Sequence, residues 1–225
     1  MKKELKGLLI GIFCFIFYLF SFTIVYRLTN LIGLNYDKLS LFYQYLYDLG
    51  YELLLVSIII FIFRKTFIPN LKLFIKNFKK YLDEYFKYWI LILVLMLISN
   101  IIIAPFATES AINQQSIVDL LVKYPVVIFI EAVFIAPILE ELIFRKCLRN
   151  IIYFNKPLYI ILSGLIFGFM HVMGESTLGG FLYIIPYSIP GMVFAYTYVK
   201  SDNICVPISI HLIHNFTLIL LNLFL

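Results

Sequence analysis

The chain has 225 residues, of which 63% are hydrophobic and only 14% are charged, and its mean hydropathy is +0.98. A soluble domain is about 45–50% apolar and about 25% charged, so this composition excludes an ordinary soluble protein and predicts one that lies in lipid. The formal net charge of +5 is then explained by basic loops that face an anionic leaflet, and binding to nucleic acid is not expected.

Seven apolar segments follow one another, each with about the 17–25 residues that a membrane-spanning helix needs. They cover residues 8–26, 46–63, 88–106, 124–148, 157–173, 179–199 and 204–225. The second is the least regular, because Asp48 and Glu52 lie in its first half. The pattern predicts an all-α, polytopic transmembrane helix bundle of seven to eight spans.

The basic residues predict how the bundle is oriented. With the N-terminus in the cytoplasm, 15 of the 18 Lys and Arg residues fall on the cytoplasmic side. This asymmetry predicts a multi-pass protein of the cell membrane with a cytoplasmic N-terminus. The richness in Ile, Phe, Tyr, Lys and Asn is typical of a bacterial chain.

The stretch 70–87 differs from the spans, because apolar residues recur in it at steps of four and three while lysines occupy the other faces. This pattern predicts one basic amphipathic helix that lies on the inner leaflet. We accordingly expect an N-terminal region, residues 1–117, of transmembrane helices with a basic linker. Residues 118–225 would then form a separate transmembrane core that carries the chemistry.

Two adjacent carboxylates interrupt the fourth apolar segment, and a charge at the centre of a span costs about 2.5 kcal/mol or more. Neighbouring helical residues point about 100° apart, so Glu140 and Glu141 cannot face one point equally. Glu141 and Arg145 are four residues apart and can form an ion pair along one helix face. The spacing therefore leaves Glu140 free to point elsewhere.

All three histidines of the chain also lie in apolar segments. Phe167 and His171 share one helix face, since they are four residues apart. In the last segment, His211 can share a face with either His214 or Asn215. Depths estimated at 1.5 Å per residue differ by about two helical turns, so these side chains can converge with the carboxylates in one cavity.

A carboxylate, imidazoles and an amide in a half-buried cavity are typical of water activation. Glu140 could take the proton of a water that attacks a carbonyl carbon, while histidine and asparagine N–H groups hold the water and the oxyanion. Alternatively, Glu140, His171 and His211 could bind zinc and act as a metalloprotease site. Spacing decides neither between these routes nor between His211 and His214 as the active imidazole.

The order and spacing of these residues resemble the three motifs of the CaaX protease and bacteriocin-processing (CPBP, or Abi) family of intramembrane proteases. The resemblance covers roughly residues 118–215, and the motifs here are Glu140-Glu141-x-x-x-Arg145, Phe167-x-x-x-His171 and His211-x-x-x-Asn215.

The resemblance implies an endopeptidase that hydrolyses a peptide bond in a membrane-associated peptide or protein. It implies Glu140 as the base, with His171, His211 and Asn215 organising water and oxyanion, and Glu141 with Arg145 as a supporting pair. The biological roles it suggests are processing of bacteriocins, leader peptides or pheromones, and bacteriocin self-immunity. A non-proteolytic immunity protein and a proton-coupled transporter stay open as alternatives, because both would also use buried titratable residues.

Overall fold

The computed structural model describes residues 2–107 and 109–224, and within these ranges it consists of helices and turns without a β-strand. A short 3₁₀ turn, Tyr36–Lys38, lies between the first two helices. The helices are α1 Lys2–Leu31, α2 Leu41–Lys76, α3 Phe78–Ile103, α4 Ile112–Lys123, the interrupted helix α5 over residues 125–151, α6 Lys156–Val172, α7 Leu178–Phe181, α8 Ile184–Ser201 and α9 Cys205–Phe224. The predicted all-α bundle is confirmed.

Five stretches are long and apolar enough to cross a membrane. They are Glu4–Leu31, Leu41–Lys76, Phe78–Ile103, Leu178–Ser201 and Cys205–Leu223. Helix α6 is apolar but shorter, and α5 is interrupted, so the count roughly agrees with the seven predicted spans. Large apolar side chains cover the outside of these helices, with Phe13, Phe61 and Ile101 each about 60% exposed, as a lipid-facing surface requires.

The predicted single amphipathic helix over residues 70–87 is wrong. Helix α2 continues through Pro69 to Lys76, the chain turns at Asn77, and α3 begins at Phe78. At this turn the Asn77 side chain donates to the Leu73 carbonyl at 3.0 Å and closes the end of α2. Asn70, seven residues earlier, makes tertiary contacts. Its Oδ1 accepts a hydrogen bond from the backbone N–H of Ile204 at 2.9 Å, and its carbonyl accepts one from the Asn203 amide at 2.9 Å. These bonds fasten the end of α2 to the start of α9.

Glycines allow α6 and α8 to touch along their backbones. A Cβ atom on Gly164 would lie 2.8 Å from the backbone nitrogen of Met192, and one on Gly191 would lie 2.8 Å from the Cα atom of Gly164. Small residues serve such close helix contacts in membranes, where apolar burial alone does not hold helices together. The contact places Phe167 of α6 and Phe194 of α8 at the same buried site.

Helix α5 is interrupted by two π-helical stretches, Glu131–Ile135 and Glu141–Cys147. Between them lies the short α-helical piece Ala136–Glu140, which has a proline in its first turn. Such π stretches are rare and are frequently found at functional sites. The adjacent carboxylates Glu140 and Glu141 therefore lie at the junction of an α-helical and a π-helical piece.

Candidate active site

The ion pair predicted within α5 is present and completely buried. Arg145 donates from Nε to Glu141 Oε2 at 2.9 Å and from Nη2 to Oε1 at 3.2 Å, and both side chains are 0% exposed. A two-pronged arginine–carboxylate pair is geometrically specific, and the pairing offsets the cost of removing both charges from water. The pair fixes the position of the Glu141 carboxylate.

Helix α6 holds the other side of the guanidinium group. Arg145 Nη1 donates to Ser163 Oγ at 2.8 Å, and this hydroxyl in turn donates to the carbonyl of Phe144 at 2.6 Å. The guanidinium carbon lies 4.8 Å from the ring centroid of Phe167, which gives this motif phenylalanine a cation–π contact. Ser163 could not be predicted as part of the site, because a single serine in an apolar segment carries no distinguishing signal.

His211 joins the ion pair from α9. Its Nδ1 lies 3.0 Å from Glu141 Oε1, and its ring stacks on Phe194 at a centroid distance of 4.6 Å. A carboxylate that is paired with arginine can only accept hydrogen bonds, so Nδ1 carries the proton and Nε2 is the acceptor of the neutral ring. That acceptor points toward Glu140, whose Oε2 lies 3.7 Å away.

Glu140 differs from its neighbour, because its side chain is 20% exposed and lines a cavity of about 580 Å³. Its 3.7 Å separation from His211 Nε2 is too long for a direct hydrogen bond, but one water can contact both atoms. The two adjacent glutamates therefore separate as the spacing predicted: Glu141 is sealed in the ion pair and Glu140 faces open space.

His171 and Asn215 line the same cavity. His171 Nδ1 lies 2.9 Å from the Phe167 carbonyl, which can only accept, so the free Nε2 of this neutral ring is also an acceptor. Asn215 donates one amide hydrogen to the Ala132 carbonyl at 2.8 Å and keeps its second N–H. This bond ties α9 to the first π stretch of α5.

His214 lies on the cavity wall, whereas the hydrogen bond to the ion pair comes from His211. His214 is 4% exposed, and its Nδ1 has no hydrogen-bond partner among the described residues. The geometry thus distinguishes the two histidines that the sequence left open, since His211 alone of the two contacts Glu141.

The zinc site predicted from Glu140, His171 and His211 does not fit this arrangement. Among the residues that the structure describes, no group of three or more His, Cys, Asp or Glu side chains could hold a metal ion. We therefore derive no step through a metal.

Glu52 of α2 also lines the cavity, as does Glu131 of α5. In the sequence, Glu52 is an irregularity of its apolar segment and was not predicted as a site residue. A carboxylate in an apolar span was the signal that could have placed it at the site, because such groups are costly and face a bundle interior or a cavity.

A helical membrane bundle with a buried Glu–Arg–His network beside a cavity lined by a free glutamate has the parts of a membrane-embedded hydrolase. Comparison with known proteins gives the particular relationship. Residues 122–217 match the family model described as Type II CAAX prenyl endopeptidase Rce1-like. This match confirms the resemblance that the three motifs indicated, and it includes all the residues of those motifs.

Individual relatives agree with this match. The chain is 30% identical over 113 residues to YdiL of Bacillus subtilis, a protein named as a membrane peptidase, with coverage of 49% of this chain and 43% of that protein. It is 28% identical over 214 residues to the membrane-embedded CAAX protease MroQ of Staphylococcus aureus, with coverage of 85% and 83% respectively. It is also similar to YvdC of Lactococcus lactis, with 30% identity over 46% of this chain and 38% of that protein. No solved structure matches the chain. These findings support a multi-pass membrane protein of the protease class.

Proposed function

We propose that this chain is an intramembrane endopeptidase that hydrolyses a peptide bond in a membrane-associated peptide or protein by glutamate-activated water. One observation carries the proposal: Glu140 Oε2 and His211 Nε2 face each other across 3.7 Å at a cavity wall, while buried Glu141 fixes the tautomer of His211. A carboxylate and a positioned imidazole acceptor are the groups that hold and deprotonate a nucleophilic water.

The water would donate one hydrogen to Glu140 and the other to His211. Both donors of the water are then occupied, so a lone pair of its oxygen faces the cavity. As this oxygen bonds to the carbonyl carbon of the substrate, its proton passes to Glu140. Glu140 then gives the proton to the departing amine as the C–N bond breaks.

The oxyanion needs a donor, and we propose Asn215 for this role. Asn215 keeps one amide N–H after its bond to Ala132 and lines the cavity. His171 has its proton on the side of Phe167, so its Nε2 would instead accept a hydrogen bond from a substrate amide or a water. A preorganised donor of this kind stabilises the charge that develops on the carbonyl oxygen.

The relatives named as a membrane peptidase and a CAAX protease support the coarser part of the proposal, a protease in the membrane. We propose the same orientation that the basic residues predict, with a cytoplasmic N-terminus. The biological role that follows is processing of a bacteriocin, leader peptide or pheromone precursor, or self-immunity through such cleavage.

The test uses a strain that lacks the gene and measures which new protein N-termini appear in its membranes when the gene is supplied again. The strain is complemented with the wild type, with Glu140→Gln, or with Glu84→Gln as a matched control. Glu84 lies on the surface with a side chain 39% exposed, and its carboxylate is 3.9 Å from the ammonium group of Lys200. We expect the same set of new termini with the wild type and the control, and loss of that set with Glu140→Gln.

Cleavage products that persist at the wild-type level with Glu140→Gln would remove Glu140 from the role of base. If the wild type produces no terminus that the deletion strain lacks, the peptidase proposal fails. The non-proteolytic immunity protein and the transporter would then be the remaining explanations.

A further inference from the structure

The hairpin that joins α2 to α3 continues past the length of helix that hydrocarbon can hold. Helix α2 has 36 residues and is about 54 Å long, whereas the hydrocarbon core of a bilayer is about 30 Å thick. Arg64 and Lys65 follow the apolar part of α2, and Lys87 precedes the apolar part of α3. Residues 64–87, called the basic hairpin below, therefore lie outside the hydrocarbon core.

The basic hairpin concentrates the positive charge of the chain on exposed side chains. It has seven Lys and Arg residues against two acidic residues, so its net charge of +5 equals that of the whole chain. All seven basic residues are exposed. Lys72 and Lys76 are four residues apart on one face of α2, where like charges repel, and Glu84 is 3.9 Å from Lys200 of α8. An anionic partner would offset this repulsion.

Large apolar side chains stand among these basic residues and are exposed as well. Their exposed fractions lie between 38% and 66%, and they are Ile68, Leu71, Leu73, Ile75, Phe78, Leu82 and Phe86. Water disfavours so much exposed apolar surface, and hydrocarbon disfavours the lysines. The headgroup layer accommodates both, because apolar side chains reach the acyl chains there while ammonium groups reach the phosphates.

Tertiary contacts hold the basic hairpin in a fixed place on the bundle. Asn70 binds the backbone N–H of Ile204 and the side-chain amide of Asn203, both at 2.9 Å. Lys200 at the end of α8 donates to the hydroxyl of Tyr88 at 3.0 Å. These bonds fasten both helices of the hairpin to the junction of α8 and α9, so the basic and apolar side chains form one ordered surface rather than a loose basic loop.

We propose that the basic hairpin is a docking surface for anionic phospholipids, with the lipid phosphates between its lysines and the acyl chains against its exposed apolar side chains. Clusters of Lys and Arg beside a membrane attract anionic lipids in this way, and salt weakens the attraction. Lys80 and Lys87, seven residues apart on one face of α3, form the part of the surface nearest Trp89. The proposal is independent of the peptidase function, since none of the described residues of the hairpin lines the large cavity.

The experiment uses Trp89, which is the single tryptophan of the sequence and packs on Phe86 at a centroid distance of 5.0 Å. The full-length chain is reconstituted in phosphatidylcholine vesicles that contain brominated phosphatidylglycerol or, at the same mole fraction, brominated phosphatidylcholine. Bromine quenches indole fluorescence on contact, so the two quenching curves give the ratio of the association constants of the two lipids beside Trp89. We expect this ratio to favour phosphatidylglycerol by at least about fivefold, the contribution of one lysine near an anionic surface.

Lys80→Gln/Lys87→Gln should lower the ratio by about fivefold or more. Lys38→Gln/Lys123→Gln makes the same change of charge on exposed residues elsewhere and should leave the ratio unchanged. Inorganic phosphate added at constant ionic strength should also leave it unchanged, because a free anion lacks the acyl chains. Equal quenching by the two lipids in the wild type, including no quenching by either, overturns the proposal. A ratio that Lys80→Gln/Lys87→Gln retains in full, or that inorganic phosphate abolishes, overturns it as well.

Discussion

Replacing Arg145 by methionine tests whether the buried ion pair holds the site together. The substitution keeps an apolar side chain of similar length beside Phe167 but leaves the Glu141 carboxylate without its two bonds to the guanidinium. Since both side chains are 0% exposed, water does not replace the lost partner. Removing one member of such a pair costs about 3–5 kcal/mol in the free energy of unfolding.

The double variant Glu141→Gln/Arg145→Met gives the second half of this prediction. It removes the stranded charge together with its partner, so it should be more stable than the sum of the two single changes implies. We expect a coupling energy of about 0.5–3 kcal/mol, the range for residues in direct contact.

The assay is equilibrium unfolding of the full-length chain in mixed micelles, followed by the fluorescence of Trp89, the single tryptophan of the sequence. Lys200→Met is the control, because Lys200 and Glu84 are 34% and 39% exposed and 3.9 Å apart, and an exposed pair contributes about 0–1 kcal/mol. Strict additivity of the two single variants in the double variant would refute the reasoning, since it would mean that Glu141 and Arg145 do not stabilise each other.

Two further predictions concern the surroundings of the Glu141–Arg145 ion pair, and a third concerns metal dependence. Ser163→Ala removes the acceptor of an Arg145 N–H and should lower the unfolding free energy by about 1–3 kcal/mol in the same assay. Gly164→Ala inserts a Cβ atom 2.8 Å from the backbone of α8 and should destabilise by about 1–3 kcal/mol, whereas Gly50→Ala meets nothing within 4 Å and should be neutral or stabilising. A chelator should leave the formation of wild-type cleavage products unchanged, and a loss that added zinc restores would contradict the water mechanism derived from Glu140 and His211.

Local spacing was enough to predict part of the site. The Glu141–Arg145 pair follows from a four-residue separation on one helix, and the structure contains it at 2.9 Å. The convergence of polar groups from α5, α6 and α9 was also predictable, because polar side chains in apolar spans are stable only when they face one another or a cavity. These expectations depend on helical periodicity and on the cost of burying charge.

Contacts between segments that are far apart in the sequence could not be predicted from helical periodicity or from the cost of burying charge. The bond between His211 and Glu141 joins residues 70 positions apart, and nothing in their spacing selects His211 over His214. The bonds of Asn70 to Asn203 and Ile204 extend over more than 130 positions. They join the last turns of α2 to the segment before α9, a long-range contact that the periodicity of residues 70–87 does not encode.

The π stretches of α5 make the number of residues in this helix as important as their identity. Each stretch accommodates an additional residue within a turn, and removing one residue between Glu131 and Glu140 would restore a regular helix over this interval and leave the second stretch in place. All later side chains of α5 would then rotate by about 100° relative to Glu131. In a related chain that has every motif residue but one residue fewer between the positions of Glu131 and Glu140, the Glu140 side chain would point away from the cavity. To judge whether a related chain is active, the number of residues between Glu131 and Glu140 therefore matters as much as the presence of the motif residues.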